Sequence, residues 1–282
     1  MISFDFEYYR PASIQEAIEL FQRLEGEGKQ PIYYSGGTEI ITLGRLDLVV
    51  TKAVIDIKGI PECRVLQYEE DYLALGGGLS LTEIEEANLF PLLSKTASEV
   101  ADHTARNKIT VGGNICGQIF YREAVLPFLL TDSQVITAGL NGLRTEPINT
   151  VFNQHLQLEK GEFLVLLLTE KDYLDMPHIS IKIRQQWDTG YPLATIAAIK
   201  KEEQVRVAFS GVCPFPFRSK EIEEELNNKQ LSLDERVNRA IRLLPEPILD
   251  DVEGSAEYRK FVIKTTLVDI ITGLEGDEHA II

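Results

Sequence analysis

A chain of 282 residues, 44% apolar and 26% charged, has the composition of a soluble globular protein with two or three compact units. Its net charge of −16 repels nucleic acid and anionic membranes, and its longest apolar run, Phe163 to Leu168, suits a buried strand and is too short to span a bilayer. Three widely spaced cysteines, Cys63, Cys116 and Cys213, argue against a disulfide framework, and against a zinc site or iron–sulfur cluster held by this chain alone.

The opening residues, Met1-Ile-Ser-Phe-Asp-Phe-Glu, are neither basic nor continuously apolar, so no signal segment is expected and a reducing cytoplasm is the natural compartment. The first clear element is a helix over 14–24. Ser13 stands at its N-cap, Glu16 at the capping-box position, and Ile14, Ala17, Ile18, Phe21 and Leu24 fall on one face. A short strand at 32–34 leads into Ser35-Gly-Gly-Thr38, and a second strand region runs from Leu48 to Ile57. A hairpin is expected over 65–75, with Gly76-Gly-Gly78 as a strand-to-helix turn, then helices over 82–88 and 92–102. A second Gly-Gly loop, Thr110-Val-Gly-Gly-Asn114, precedes a helical stretch over 124–131 and strands over 134–138, 143–147 and 163–169. Strands over 179–184, 194–199 and 205–212 follow, the last two joined by the charged turn Lys200 to Gln204, and helices over 220–227, 234–244 and 256–273 close the pattern. Strands and helices come in blocks, which favours an α+β fold divided as 1–60, 61–178 and 179–282.

The two Gly-Gly loops carry the functional signal. Glycine admits positive φ and lets backbone approach a ligand without a Cβ between them, so successive N–H groups can converge on a phosphate. In so acidic a protein an anionic ligand must be gripped by such short-range donors, each charge-assisted bond contributing roughly 1.5–3 kcal/mol. On this reading each loop offers two or three backbone donors, and Thr38, Thr110 and Asn114 add side-chain donors. Other chemistries lack their patterns: there is no G-x-x-x-x-G-K-[ST], no G-x-G-x-x-G after a strand and no G-x-S-x-G. His103, His155, His178 and His279 are isolated, so neither a metal site nor a catalytic constellation is expected.

Four ordered motifs now resemble a known family. Ser35-Gly-Gly-Thr-Glu-Ile40 and Ala105-Arg-Asn-Lys-Ile-Thr-Val-Gly-Gly-Asn-Ile115 are similar to the two flavin motifs of the FAD-binding subunit of molybdenum hydroxylases, the xanthine dehydrogenase and carbon monoxide dehydrogenase type. Ser210-Gly-Val-Cys-Pro-Phe-Pro-Phe-Arg218 and Asp250 to Arg259 resemble later stretches of the same family. The resemblance implies a two-part FAD-binding domain of the vanillyl-alcohol-oxidase-like type, followed by a C-terminal three-stranded sheet with helices. It implies FAD held by Ser35, Gly36, Gly37, Thr38, Glu39 and Ile40 on one side, and by Arg106, Asn107, Thr110, Gly112, Gly113, Asn114 and Cys116 on the other. Lys182 falls about where the family has a lysine near the flavin ring, and Glu123 where it has an aspartate. The Ser-Pro turn of the family is replaced here by Ile119-Phe120.

By the same resemblance molybdopterin and [2Fe–2S] clusters belong to partner subunits, and electrons pass from those clusters through FAD to NAD or another acceptor. Nucleic acid and membrane are not expected partners. Two other readings share these residues: a scaffold subunit whose flavin site has decayed, and a stand-alone FAD oxidoreductase. The loop Trp187-Asp-Thr-Gly-Tyr-Pro192 is either a cover for the flavin ring or a hairpin tip packed on its own sheet.

Overall fold

The computed structural model describes residues 2–184 and 190–276 and divides into two compact units. The first comprises 1–87, 103–118 and 132–171; the second comprises 88–102, 119–131 and 172–282. Of the loop Trp187–Pro192, Trp187, Asp188 and Thr189 lie outside the described residues.

The first unit holds two sheets. In the smaller, strand Ala53–Asp56 lies between Glu7–Tyr9 and Ile32–Tyr34, parallel to both. Helix Ile14–Gly26 connects two of these strands. It buries Ala17, Ile18, Phe21 and Leu24 against Ala53, Ile55, Phe163 and Val165. Ser13 caps it through the Glu16 N–H at 3.2 Å, whereas the Glu16 carboxylate reaches back to the Ala12 N–H, not to Ser13. The apolar run before Ala53 forms no strand. Leu46, Leu48 and Val50 are exposed, and the Thr51 hydroxyl donates to the carbonyls of Gln30 and Ala53, so pairing starts only at Ala53.

The larger sheet is antiparallel, in the order Leu66–Tyr68, Tyr72–Gly76, Phe163–Glu170, Gln134–Gly139, Gly142–Pro147. Its central strand is the apolar run singled out from the sequence. Burial there explains the loss of alternation, since a strand covered on both faces needs no polar side.

The second unit is built on an antiparallel sheet ordered His178–Arg184, Pro192–Lys201, Gln204–Ser210, Phe217–Arg218. Three long strands were expected; the fourth, of two residues, joins at the edge. One face carries Ile179, Ile196, Val207 and Phe209, which pack with Ile222, Val237, Ile263 and Leu267 of helices Lys220–Leu226, Leu233–Ile241 and Ala256–Glu275. The opposite face presents Lys182, Thr195 and Ser210, which are neighbours in register. The helix expected over 92–102 ends at Ser98, and Ala101 has φ +48°. The stretch 124–131 is a 3₁₀ turn, Glu123–Val125, running into helix Leu126–Leu130.

Candidate functional site

The first loop leaves strand Ile32–Tyr34 and enters helix Thr38–Arg45. Gly37 is the N-cap, with φ +73°, and no side chain caps the helix. That conformation favours glycine, and the Tyr34 ring fills the place a Cβ at Gly37 would take. Among the described residues the N–H groups of Gly36 and Gly37 donate to nothing, and the Ser35 Oγ is buried without a partner. A helix start carries partial positive charge from its unbonded N–H groups, so this loop collects donors that only an added acceptor can satisfy.

The second loop differs from the expectation that it would offer backbone donors. The Val111 N–H donates to Leu79 O at 2.9 Å and the Gly112 N–H to Gly77 O at 2.9 Å. The Gly113 N–H donates to Thr110 Oγ1 at 3.2 Å and the Asn114 N–H to Thr110 O at 2.8 Å. All four are engaged inside the protein. The glycines here serve close approach instead: a Cβ at Gly112 would stand 2.6 Å from Gly77 O. Gly76-Gly-Gly78, read from the sequence as a turn, is thus also the platform on which the second loop sits.

The two loops meet within the first unit. A Cβ on Gly36 would stand 1.9 Å from Lys108 O, so the first loop touches the backbone leading into the second. Both oxygens of Glu39 accept from the Gln118 N–H at 2.9 Å, which ties the helix after the first loop to the turn after the second. Ile40 faces an apolar hollow with Phe4 and Tyr34. Arg106 ion-pairs with Glu85 at 3.0 Å, and the Asn107 amide lies 3.3 Å from the His103 ring. Cys116 is partly buried at the end of helix Val111–Cys116, while burial pushes the Cys63 and Cys213 thiols up to about 12.

Glu123 and Lys182 come together in the second unit. Lys182 Nζ stands 2.7 Å from Glu123 Oε1, with side chains 3% and 2% exposed, and donates to Glu99 O at 2.7 Å. Arg184 donates to the same carbonyl. The extra methylene of glutamate over aspartate supplies reach along the carboxylate's own side chain. Around the pair, Ser180 Oγ and Thr195 Oγ1 are buried without partners. Burying two charges is costly unless they neutralise one another, and this pair does so.

Sequence reasoning missed Asp56 and Lys58 beneath the first loop, and Gly77 beneath the second. Lys58 Nζ donates to Ser35 O and, at 2.8 Å, to Asp56 Oδ1. The available signals were an acidic residue closing a β-branched strand and a glycine triplet, both of which also read as ordinary strand ends.

An uncapped helix start, a buried hydroxyl without a partner and a second glycine loop packed against them suit the phosphates of a nucleotide cofactor. The structure superimposes on a chain of carbon monoxide dehydrogenase from Hydrogenophaga pseudoflava with a TM-score of 0.86 at 23% identity, covering 96% of this chain and 98% of that one, so the two share a fold. The family described as the FAD binding domain in molybdopterin dehydrogenase matches residues 4–167, and the CO dehydrogenase flavoprotein C-terminal domain matches residues 192–274. The chain belongs to this family of FAD-binding molybdopterin dehydrogenase subunits. Among its relatives, the xanthine dehydrogenase FAD-binding subunit of Escherichia coli O157:H7 is 26% identical, with 95% of this chain and 96% of the relative covered. The carbon monoxide dehydrogenase medium chain of Hydrogenophaga pseudoflava is 25% identical, with 92% and 93% covered.

Proposed function

We propose that this chain is the electron-transfer subunit of a molybdenum hydroxylase complex, accepting electrons from [2Fe–2S] clusters in a partner chain and delivering them through FAD to NAD or another acceptor. A molybdopterin-binding subunit would carry the substrate, in keeping with the family description, the FAD binding domain in molybdopterin dehydrogenase. The observation that carries the reading is the donor set of the first loop: Ser35 Oγ, Gly36 N–H and Gly37 N–H lack partners at an uncapped helix start.

Bound FAD supplies a carrier that can be reduced by two electrons and reoxidised in one- or two-electron steps. The residues of this chain bind and orient it. Ser35, Gly36, Gly37 and Thr38 would donate to the pyrophosphate, with Glu39 and Ile40 holding their helix in place. Thr110, Gly112, Gly113, Asn114 and Cys116 would form a wall of fixed backbone on the other side, steadied by Arg106 and Asn107. Lys182 would lie toward the ring with its charge already balanced by Glu123, so the field it offers is governed by that carboxylate.

The test is to purify the complex from its native source, identify the chains that co-elute, and record its visible spectrum before and after reduction through the partner. Flavin absorbance that bleaches on substrate addition and returns with NAD supports the proposal. A colourless chain that refuses added FAD would leave it a scaffold subunit; a yellow chain that oxidises a small substrate without partners would make it a stand-alone flavoenzyme.

A further inference from the structure

The first loop has a support that lies outside every glycine motif. Lys58 follows strand Ala53–Asp56, and its ammonium sits in a seat with three sides. Asp56 Oδ1 accepts from it at 2.8 Å, the Ser35 carbonyl accepts a second N–H, and the Tyr34 ring centroid lies 4.9 Å away. Asp56 is itself anchored. It is 3% exposed, accepts from the Lys58 N–H at 2.9 Å and receives the Tyr8 hydroxyl. Burial, with this hydrogen bond, pushes the Tyr8 phenol up to about 12, so the hydroxyl keeps its proton. The Tyr34 ring that borders the ammonium is the same ring that packs on Gly37.

The peptide bond from Ser35 to Gly36 is trans, and in a trans peptide the carbonyl and the N–H lie in one plane and point in opposite directions. Fixing the Ser35 carbonyl on Lys58 therefore fixes the Gly36 N–H on the side away from Lys58, where among the described residues it has no acceptor. We infer that Lys58 is a positioning residue for the pyrophosphate site: by holding the Ser35 carbonyl it aims the Gly36 amide at the incoming anion. The inference rests on the flavin reading given above.

Lys58 also removes an obstacle. Without it the Ser35 carbonyl, an acceptor, is free to turn toward the anion and repel it. Gly36 has the freedom to permit that flip, because a glycine tolerates either orientation of its preceding peptide. A lysine anchored to a buried aspartate prevents it. This fits a protein with 44 acidic against 28 basic residues, in which a misdirected carbonyl would add to an unfavourable field.

The test uses the full chain, stripped of flavin and labelled with [15N]glycine, as wild type, Lys58→Met and Lys58→Arg. FAD and ADP, which carry the pyrophosphate, are titrated by fluorescence and calorimetry, and the Gly36 amide is followed by NMR. In wild type the Gly36 resonance moves on ADP addition. Lys58→Met is expected to weaken both ligands by about ten-fold, the loss of one charge-assisted bond, and to abolish that movement. Lys58→Arg, which still reaches the carbonyl, is expected to recover both. Equal affinity in Lys58→Met, or weakened affinity with an unchanged Gly36 response, overturns the positioning role while leaving the flavin reading intact. A wild-type chain that binds neither FAD nor ADP overturns both.

Discussion

Lys182 Nζ and Glu123 Oε1 lie 2.7 Å apart with almost no solvent on either side chain. The pair closes a contact between strand His178–Arg184 and the 3₁₀ turn Glu123–Val125 inside the second unit. Each charge is tolerated there because the other is present. Removing one leaves a buried ion alone, and Glu123→Gln is expected to destabilise the chain by about 3 kcal/mol or more in urea unfolding. The double variant Glu123→Gln with Lys182→Met should regain a large part of that loss. Additive single effects would show that the two side chains act independently.

Gly36→Ala places a methyl against the Lys108 carbonyl, which stands 1.9 Å from the ideal Cβ position. The neighbour is backbone and cannot yield without separating the two loops. The variant is expected to fold and to lose flavin, with FAD affinity falling by roughly ten-fold or more, comparable to the loss of one or two charge-assisted bonds. Flavin content per chain after purification and FAD titration of the apo-protein measure it.

The three thiols are expected to separate by reactivity. Cys63 and Cys213 are buried with their pKa values raised to about 12, so thiolate is scarce at pH 8 and reagent access is blocked. Native protein should release one equivalent of thionitrobenzoate from a disulfide reagent, from Cys116, and three equivalents once unfolded. Added FAD should slow the single reaction, because Cys116 closes the short helix of the second loop. Two fast thiols in the native state would contradict this ordering.

Arg236 donates to both oxygens of Glu275, at 3.1 and 2.6 Å, and holds that carboxyl below its ordinary value. A carboxylate depressed in the folded state stabilises above its unfolded pKa and loses that contribution as pH falls through the folded value. Wild type should therefore steepen its loss of stability in the acid range below pH about 4.5, and Arg236→Met should flatten that limb while lowering stability at neutral pH. Denaturant midpoints between pH 3 and 7, which bracket the carboxylate range, decide it.

Much of the fold was legible because its signals are local. The apolar stripe of helix Ile14–Gly26, the continuous Phe163–Leu168 run and the turn at Glu202-Glu203 each depend on neighbours within a few residues. The two glycine loops were found for the same reason. Their division of labour was not legible. Two of the second loop's N–H groups, those of Val111 and Gly112, are taken by Leu79 and Gly77, more than thirty residues upstream, and nothing in Thr110 to Asn114 announces those acceptors. Lys58 and Ser35 are 23 positions apart and meet only because strands Ile32–Tyr34 and Ala53–Asp56 run parallel in register. Phe217–Arg218 escaped because a two-residue strand has no periodicity to detect.

The route of the chain through its two units also governs how the protein can be taken apart. Residues 88–102 and 119–131 interrupt the first unit yet are packed in the second, where Phe90, Leu92, Leu93 and Leu126 to Leu130 are buried. A fragment ending at 167, where the first family match stops, would retain those side chains without the sheet that covers them. No single cut in the gene separates the units cleanly, so truncation should yield aggregates. Modular exchange between relatives will have to move three segments together, or the whole chain at once.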